Sequence, residues 1–271
     1  MEALTKLFEP YDRKARLYPA MLTLAPIFVL LLCRYGKKVT LGSGIVSLLI
    51  FCGALFWVAR VARNAGVRVQ DRMWTATGGK TPSVKYLRHC DTTTIDPVTR
   101  DRYHAVLSSG IGKAFPTASS EAADSASADH LYWSGIRWLM EQTRDTRKYS
   151  HLFKENIAYG FQRNMLGIKS VAVSIAVLCL VIALFWIGLI SSAAPYIQFE
   201  GISEWQFEHV LSILLPAGLL CMWLFAVTEK TVNQASDAYS ARLFQACEGL
   251  ATSAKIKPVR AKKVKTGPSD V

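Results

Sequence analysis

The chain has 271 residues, 51% of them hydrophobic, with 32 Lys and Arg against 20 Asp and Glu, a formal charge of +12. The apolar residues are gathered into long uncharged runs instead of alternating with charges. That segregation excludes an ordinary soluble enzyme domain and points to a membrane protein with cationic parts outside the bilayer.

A hydrocarbon core about 30 Å thick takes a helix of roughly 17–25 apolar residues. Four runs meet that length: Leu17–Cys33, Leu41–Ala59, Ile168–Ile190 and Val210–Val227. Lys169 is the one charged residue inside them. They predict an all-α membrane protein with four transmembrane helices and a mainly helical cytoplasmic domain between the second and third spans. Pro19 suits a first helical turn and Pro26 is expected to kink the first span. A secretory signal peptide is the rival for that segment, but no small-x-small cleavage pattern follows Cys33, and a second span does. The domains expected are 1–59, 60–167, 168–227 and 228–271.

Orientation follows from counting cations. Lys6, Arg13, Lys14 and Arg16 precede the first span and Arg60, Arg63, Arg68 and Arg72 follow the second, whereas the loop Ser191–His209 has none and carries Glu200, Glu204 and Glu208. The positive-inside rule therefore places both termini and the middle section in the cytoplasm, multi-pass. The hairpin Arg34–Thr40, with three basic residues, opposes that orientation and is outnumbered. Tyr196, Trp205 and Phe207 fit an aromatic belt on the outer side. No CxxC spacing occurs among the six cysteines, four of which lie in or at the ends of spans. Neither disulfides nor structural zinc are expected.

The middle section, Arg60–Gly167, holds 108 residues with 16 Lys and Arg and 10 Asp and Glu. Arg60–Thr77 is predicted to continue the second span as helix to Gly78-Gly79. A turn at Lys80-Thr81-Pro82 and a short apolar patch Val84–Leu87 come next. Pro97–Gly110 is predicted as helix with Asp96 as N-cap and Pro97 in the first turn. Ala118–Asp129, rich in Ser and Ala with three acids, reads as an exposed loop. From Asp129, Leu131, Tyr132, Ile136, Leu139 and Met140 recur at helical spacing, and mostly helix is expected onward to the third span. Thr231–Ala254 is predicted as an amphipathic helix. Lys255–Lys265 then brings six cations in eleven residues, read as a solvated tail beside an anionic leaflet, with nucleic-acid contact as the other reading.

Chemical motifs are sparse. Gly79-Lys80-Thr81 lacks the earlier glycine of a phosphate-binding loop, and Pro82 follows it. His89-Cys90-Asp91 has no second ligand group and reads as capping and hydrogen bonding. The remaining histidines are scattered, and no serine sits in a GxSxG turn. No catalytic residue, metal or cofactor is expected, and an enzyme is the minority reading. The spans contain no Asp, Glu or His, which disfavours an ion-coupled transporter. Ser43 and Ser47 in the second span, and Ser170 and Ser174 in the third, sit at spacing of four and are candidates to line a pore between subunits. Tight packing through small residues, with Gly42 and Gly44, is the alternative. The cytoplasmic section interleaves cations and aromatics, the mixture that holds phosphates and stacks bases of a single strand.

The segments Phe8-Glu9-Pro10-Tyr11-Asp12-Arg13-Lys14-Ala15-Arg16-Leu17-Tyr18-Pro19 and Trp74…Gly78-Gly79-Lys80-Thr81-Pro82…Leu87-Arg88-His89-Cys90-Asp91…Ile95-Asp96-Pro97 resemble the four-span membrane effectors of Hailong-type bacterial anti-phage defence systems. The resemblance covers nearly the whole chain. It implies a homotetrameric ion channel of the bacterial inner membrane, kept closed by a short single-stranded DNA oligomer that a partner nucleotidyltransferase makes. Destruction of the oligomer by a phage nuclease would open the channel, depolarise the membrane and abort the infection. Our own charge and aromatic reading places DNA contacts at Lys80, Lys85, Arg88, His89, Arg100, Arg102, Arg137 and Trp138. A non-conducting membrane anchor for a cytoplasmic protein partner is the competing function. A membrane-bound enzyme acting on lipid head groups is a further competitor, for which the catalytic set is missing.

Overall fold

The computed structural model describes residues 10–76, 82–190, 196–197 and 205–256. Lys80, the Gly78-Gly79 turn, Lys6, Glu200, Glu204 and the side chains of the basic tail lie outside the described residues. Within them the structure is helical with no strand. We number the helices α1 (Tyr18–Tyr35), α2 (Leu41–Ala76), α3 (Pro97–Ile111), α4 (Ala118–Ala123), α5 (Ser125–Gln142), α6 (Ser150–Trp186), α7 (Phe207–Cys221) and α8 (Glu229–Ile256). Four helical stretches among the described residues are long and apolar enough to cross a membrane: Pro10–Lys38, Leu41–Thr75, Ser150–Trp186 and Phe207–Ala226. The protein is an all-α, multi-pass membrane protein.

The chain divides into two compact units, the described residues of Met1–Pro82 with Ser150–Tyr239, and those of Ser83–Tyr149 with Ser240–Val271. This differs from the expected boundaries because α2 and α6 extend beyond their apolar runs. Each runs for several further turns, so 60–76 and 150–167 belong with the spans.

In the first unit the spans pack through small residues. Ala20, Ala59, Ala62 and Ala172 are buried together with Ile168, Met165, Trp223 and Val227. A side-chain carbon added at Gly167 of α6 would meet the backbone of Ala65 and Gly66 in α2, so these two helices touch main chain to main chain. Such close approach is how membrane helices gain van der Waals contact where lipid is as apolar as leucine. Asn164, one turn earlier, is fully buried and donates from Nδ2 to the Ala15 carbonyl at 2.7 Å. Ala15 lies in the π-helical turn Arg13–Leu17 that leads into α1. Pro19 takes the expected place at the start of α1, and Pro26 lies buried within it.

Ser43 has a role that the spacing of hydroxyls did not indicate. Its Oγ accepts from the Thr40 backbone N–H at 2.9 Å, and the Thr40 Oγ1 accepts from the Ser43 N–H at 3.4 Å. This reciprocal cap satisfies donors that the first turn of α2 would leave open.

In the second unit, Asp96 caps α3 as expected, accepting from the Thr99 N–H at 2.8 Å, with Pro97 in the first turn. The helix ends one residue past Gly110, and Gly112 supplies the left-handed residue with φ 67°. The core is Leu107 of α3 against Tyr132, Ile136 and Leu139 of α5, with Leu87 also buried. The segment 118–129, expected as an exposed loop, is the helix α4 followed by the cap and first turn of α5. Thr117 caps α4 by accepting from the Ser120 N–H, and Asp124 caps α5 by accepting from the Ser127 N–H. Hydroxyl and carboxylate caps override the weak helix propensity of Ser in so short a stretch.

Candidate functional site

Of the eight expected DNA-contacting residues Lys80 lies outside the described residues; the other seven comprise three that turn inward, three on the outer side and Trp138, which packs between helices. Arg88, His89 and Arg100 turn inward. Arg100 is 3% exposed, and its guanidinium donates to the carbonyls of His89 (2.9 Å), Asp91 (2.7 Å) and Ile95 (3.3 Å). A planar fork with several donors suits three carbonyls of one loop. Arg88 makes a two-point ion pair with Asp129, whose side chain is 4% exposed; Nε donates to Oδ1 at 3.0 Å, and the second bond joins Nη2 to Oδ2. His89 donates its backbone N–H to Glu121 at 3.0 Å, and its ring Nε2 lies 3.1 Å from the Pro116 carbonyl. Expected as DNA contacts, these three residues hold the loop 87–96 to α3, α4 and α5.

The three acids of 118–129 explain this inward turn. Glu121 accepts from the His89 N–H and from the Tyr132 hydroxyl at 2.6 Å, Asp124 caps α5, and Asp129 takes Arg88. Sequence reading missed Glu121 and Asp129 as partners. The signal was present as acids placed in an otherwise small-residue segment directly before an amphipathic helix.

Arg102 and Arg137 are exposed, and Lys85 is half-buried on the same unit without turning into the loop network. Lys85 lies 5.8 Å from the Tyr86 ring centroid; Tyr86 stacks on Phe244 at 5.2 Å and Phe244 on Tyr103 at 5.6 Å. Arg102, next to Tyr103, pairs with Glu248 at 3.0 Å and also reaches Thr99. Both partners of that pair are about half exposed, so the interaction is weak and an incoming anion can replace it. Arg137 is exposed on α5. Trp138 rests its indole on Gly110, where an added side-chain carbon would come within 2.6 Å, so it is a packing residue of α3 against α5. Lys113, Arg147 and Lys148 are further exposed cations of this unit that the aromatic criterion passed over.

Among the candidate pore-lining residues, Ser47, Ser170 and Ser174 are exposed on the protomer, as is Ser43 in its capping role. Ser170 and Ser174 lie away from the α6 face that buries Ile168, Ala172, Ala176, Cys179 and Ala183.

The polar network beneath the loop is tuned against acid. Burial raises the Asp91 pKa, but hydrogen bonds from Thr94 and Thr93 outweigh it and hold the carboxyl at about 2. Burial likewise opposes ionisation of Glu121, and the His89 N–H, the Tyr132 hydroxyl and Cys90 overcome it, lowering its pKa. His104 is shifted down chiefly by burial, with the neighbouring His89 ring 5.0 Å away adding to the effect. Both imidazoles bond a carbonyl, His104 through Nε2 to Leu87 at 2.7 Å. All three groups have folded values below their unfolded ones, so the unfolded state binds more protons as pH falls. The His104 contribution is complete above 6.5 and declines below it; those of Glu121 and Asp91 are complete above 4.5 and 3.8 and decline below. The thermal midpoint of this unit, followed by Trp133 and Trp138 emission, is therefore expected to fall steadily from pH 7 to pH 3. His104→Gln should remove only the part of the fall that starts near pH 6.5, and an unchanged profile in that variant would contradict the assignment.

Among the described residues no group of His, Cys, Asp and Glu is arranged to hold a metal ion. No family model, curated protein or solved structure matches the chain.

Proposed function

We propose that this chain is an oligomeric ion channel of the bacterial inner membrane, held closed by a short single-stranded DNA oligomer and opened when the oligomer is lost. The observation that carries the reading is the placement of Ser47, Ser170 and Ser174 on span surfaces that the protomer leaves uncovered. Hydrocarbon offers a hydroxyl no partner beyond its own helix, whereas a neighbouring subunit or a water-filled passage does. Homotetrameric assembly, a partner nucleotidyltransferase and a role in aborting phage infection follow from the resemblance to Hailong-type effectors.

Orientation with the charged unit in the cytoplasm is supported by the fate of the opposing cations. Lys37 pairs with Glu208 at 3.2 Å, and Arg34 lies over the rings of Trp186 (5.4 Å) and Tyr35 (5.7 Å). Two of the three outer cations thus have local partners, one of them an acid from the other outer segment. Tyr196 and Phe207 are exposed, as an interfacial belt requires.

The oligomer is held, in this reading, by Lys85, Arg102 and Arg137, multiplied by subunit number into a cationic ring. A ligand must bind the closed state better than the open one to keep it closed. Replacing the three with Gln should abolish retention of a short deoxyoligonucleotide by the purified protein at physiological salt. Up to the point of loss, the slope of log affinity against log salt should fall by about 2 per protomer, since each single-strand phosphate contact contributes about 0.7. Wild-type retention in the triple variant would overturn the assignment. Binding of protein alone, with no oligonucleotide retained by the wild type, would favour the membrane-anchor reading.

A further inference from the structure

The fourth span ends without a breaker. α7 passes into a π-helical turn, Met222–Ala226, Val227 then leaves helical geometry (φ −95°, ψ 99°), and α8 begins at Glu229. Neither Gly nor Pro occurs between Cys221 and Glu229. The joint is anchored on both sides: Trp223 and Val227 are buried against Ala59, Ala62, Ile168 and Ala172, and Val232 of α8 is buried as well. Thr228 and Thr231 cap the start of α8, each hydroxyl accepting from the other's backbone N–H at 3.3 Å.

A helix end leaves its last carbonyls without partners, and at the edge of hydrocarbon that is costly. Here the partner comes from another span. The Lys169 Nζ donates to the carbonyls of Val227 (2.8 Å) and Leu224 (3.1 Å). Lys169 is also the one charge inside the four apolar runs, second in its run, and an ammonium at the edge of hydrocarbon needs polar partners there. The negative end of the helix dipole and the ammonium answer each other's need. The other polar tie near the joint, Arg72 to Glu229 at 2.7 Å, is exposed at both partners and correspondingly weak.

We propose that Lys169 is the positioning residue of the fourth span: it latches the Val227–Thr228 joint, and its release lets α7 move while α8 keeps its own cap. The effect on current rests on the channel reading above; the latch itself does not. Hydrogen–deuterium exchange on the full-length protein in lipid nanodiscs, comparing wild type, Lys169→Met and Lys169→Arg, tests it. Amides of residues 222–231 should exchange roughly tenfold faster or more in Lys169→Met, the scale set by loss of charge-assisted hydrogen bonds. Lys169→Arg, with equal reach and charge, should restore protection, and amides of α5 should be unchanged in all three. Lys169→Gln, which keeps a donor, should fall between and serves if the Met variant does not fold. In a parallel bilayer recording, Lys169→Met should leave residual current when the oligonucleotide is present. Exchange unchanged in Lys169→Met and Lys169→Gln would overturn the latch. Faster exchange restored by Arg, with no current from any of the proteins, would uphold the latch and overturn the channel reading.

Discussion

Arg100→Ala is expected to lower the stability of the Ser83–Tyr149 unit by about 3 kcal/mol, because a partly or fully buried carbonyl left without its donor costs about 1–3 kcal/mol and this guanidinium serves three. A loss of that size is a large fraction of the roughly 5–15 kcal/mol by which a domain is stable. Arg100→Lys should recover little of it, since an ammonium is a point donor and cannot span the carbonyls of His89, Asp91 and Ile95 together. Circular dichroism melting of the purified protein, read with the Trp133 and Trp138 emission, reports the change. If Arg100→Ala melted as the wild type does while losing oligonucleotide, the phosphate role expected from the sequence would return. The same comparison separates Arg100 from Arg102: truncating the exposed Arg102 should barely move the melt and should weaken anion retention.

Gly167→Ala is expected to disrupt the pairing of α2 with α6. The added methyl would lie 2.5 Å from the Ala65 carbonyl carbon and 2.8 Å from the Gly66 Cα. Both are backbone atoms, so no side-chain rotation relieves the contact and the helices must separate. Overpacking costs about 1–3 kcal/mol where side chains can adjust, and the upper end applies here. Parting these helices also strains the neighbouring Asn164 bond to Ala15, whose Oδ1 already has no partner among the described residues. Gly53→Ala, on the same α2 but with open space around the added carbon, is the control and should be neutral or slightly stabilising. Thermal aggregation in detergent, followed by size-exclusion chromatography, should show the first variant failing well below the second; equal behaviour would contradict the close crossing.

What the sequence made legible follows from how far along the chain each interaction reaches. The spans, the continuation of the second span to Ala76 and the Asp96-Pro97 start of α3 rest on hydropathy and on caps within one turn, and they are where the residues said they would be. The helix α4 and the first turn of α5 were hidden because their signal is a pair of caps, Thr117 and Asp124, embedded in Ser and Ala that score as loop. Arg88 and Arg100 looked like surface cations because their partners, Asp129 and the carbonyls of 89–95, come near only through tertiary packing. Ser43 shared the helical spacing of a pore residue with Ser47, yet it sits one turn from Thr40 and closes a cap. The break at Val227 carries no Gly or Pro, and a lysine 58 residues away holds it. No local pattern could register that.

The most direct measurement of the channel reading is current across a planar bilayer containing the purified protein, recorded alone, with a short single-stranded deoxyoligonucleotide added to each side in turn, and after a nuclease follows. The account predicts current that the oligonucleotide suppresses and the nuclease restores, with suppression lost in the Lys85, Arg102 and Arg137 triple variant. Absence of current under every condition, from protein that melts cooperatively, would contradict it.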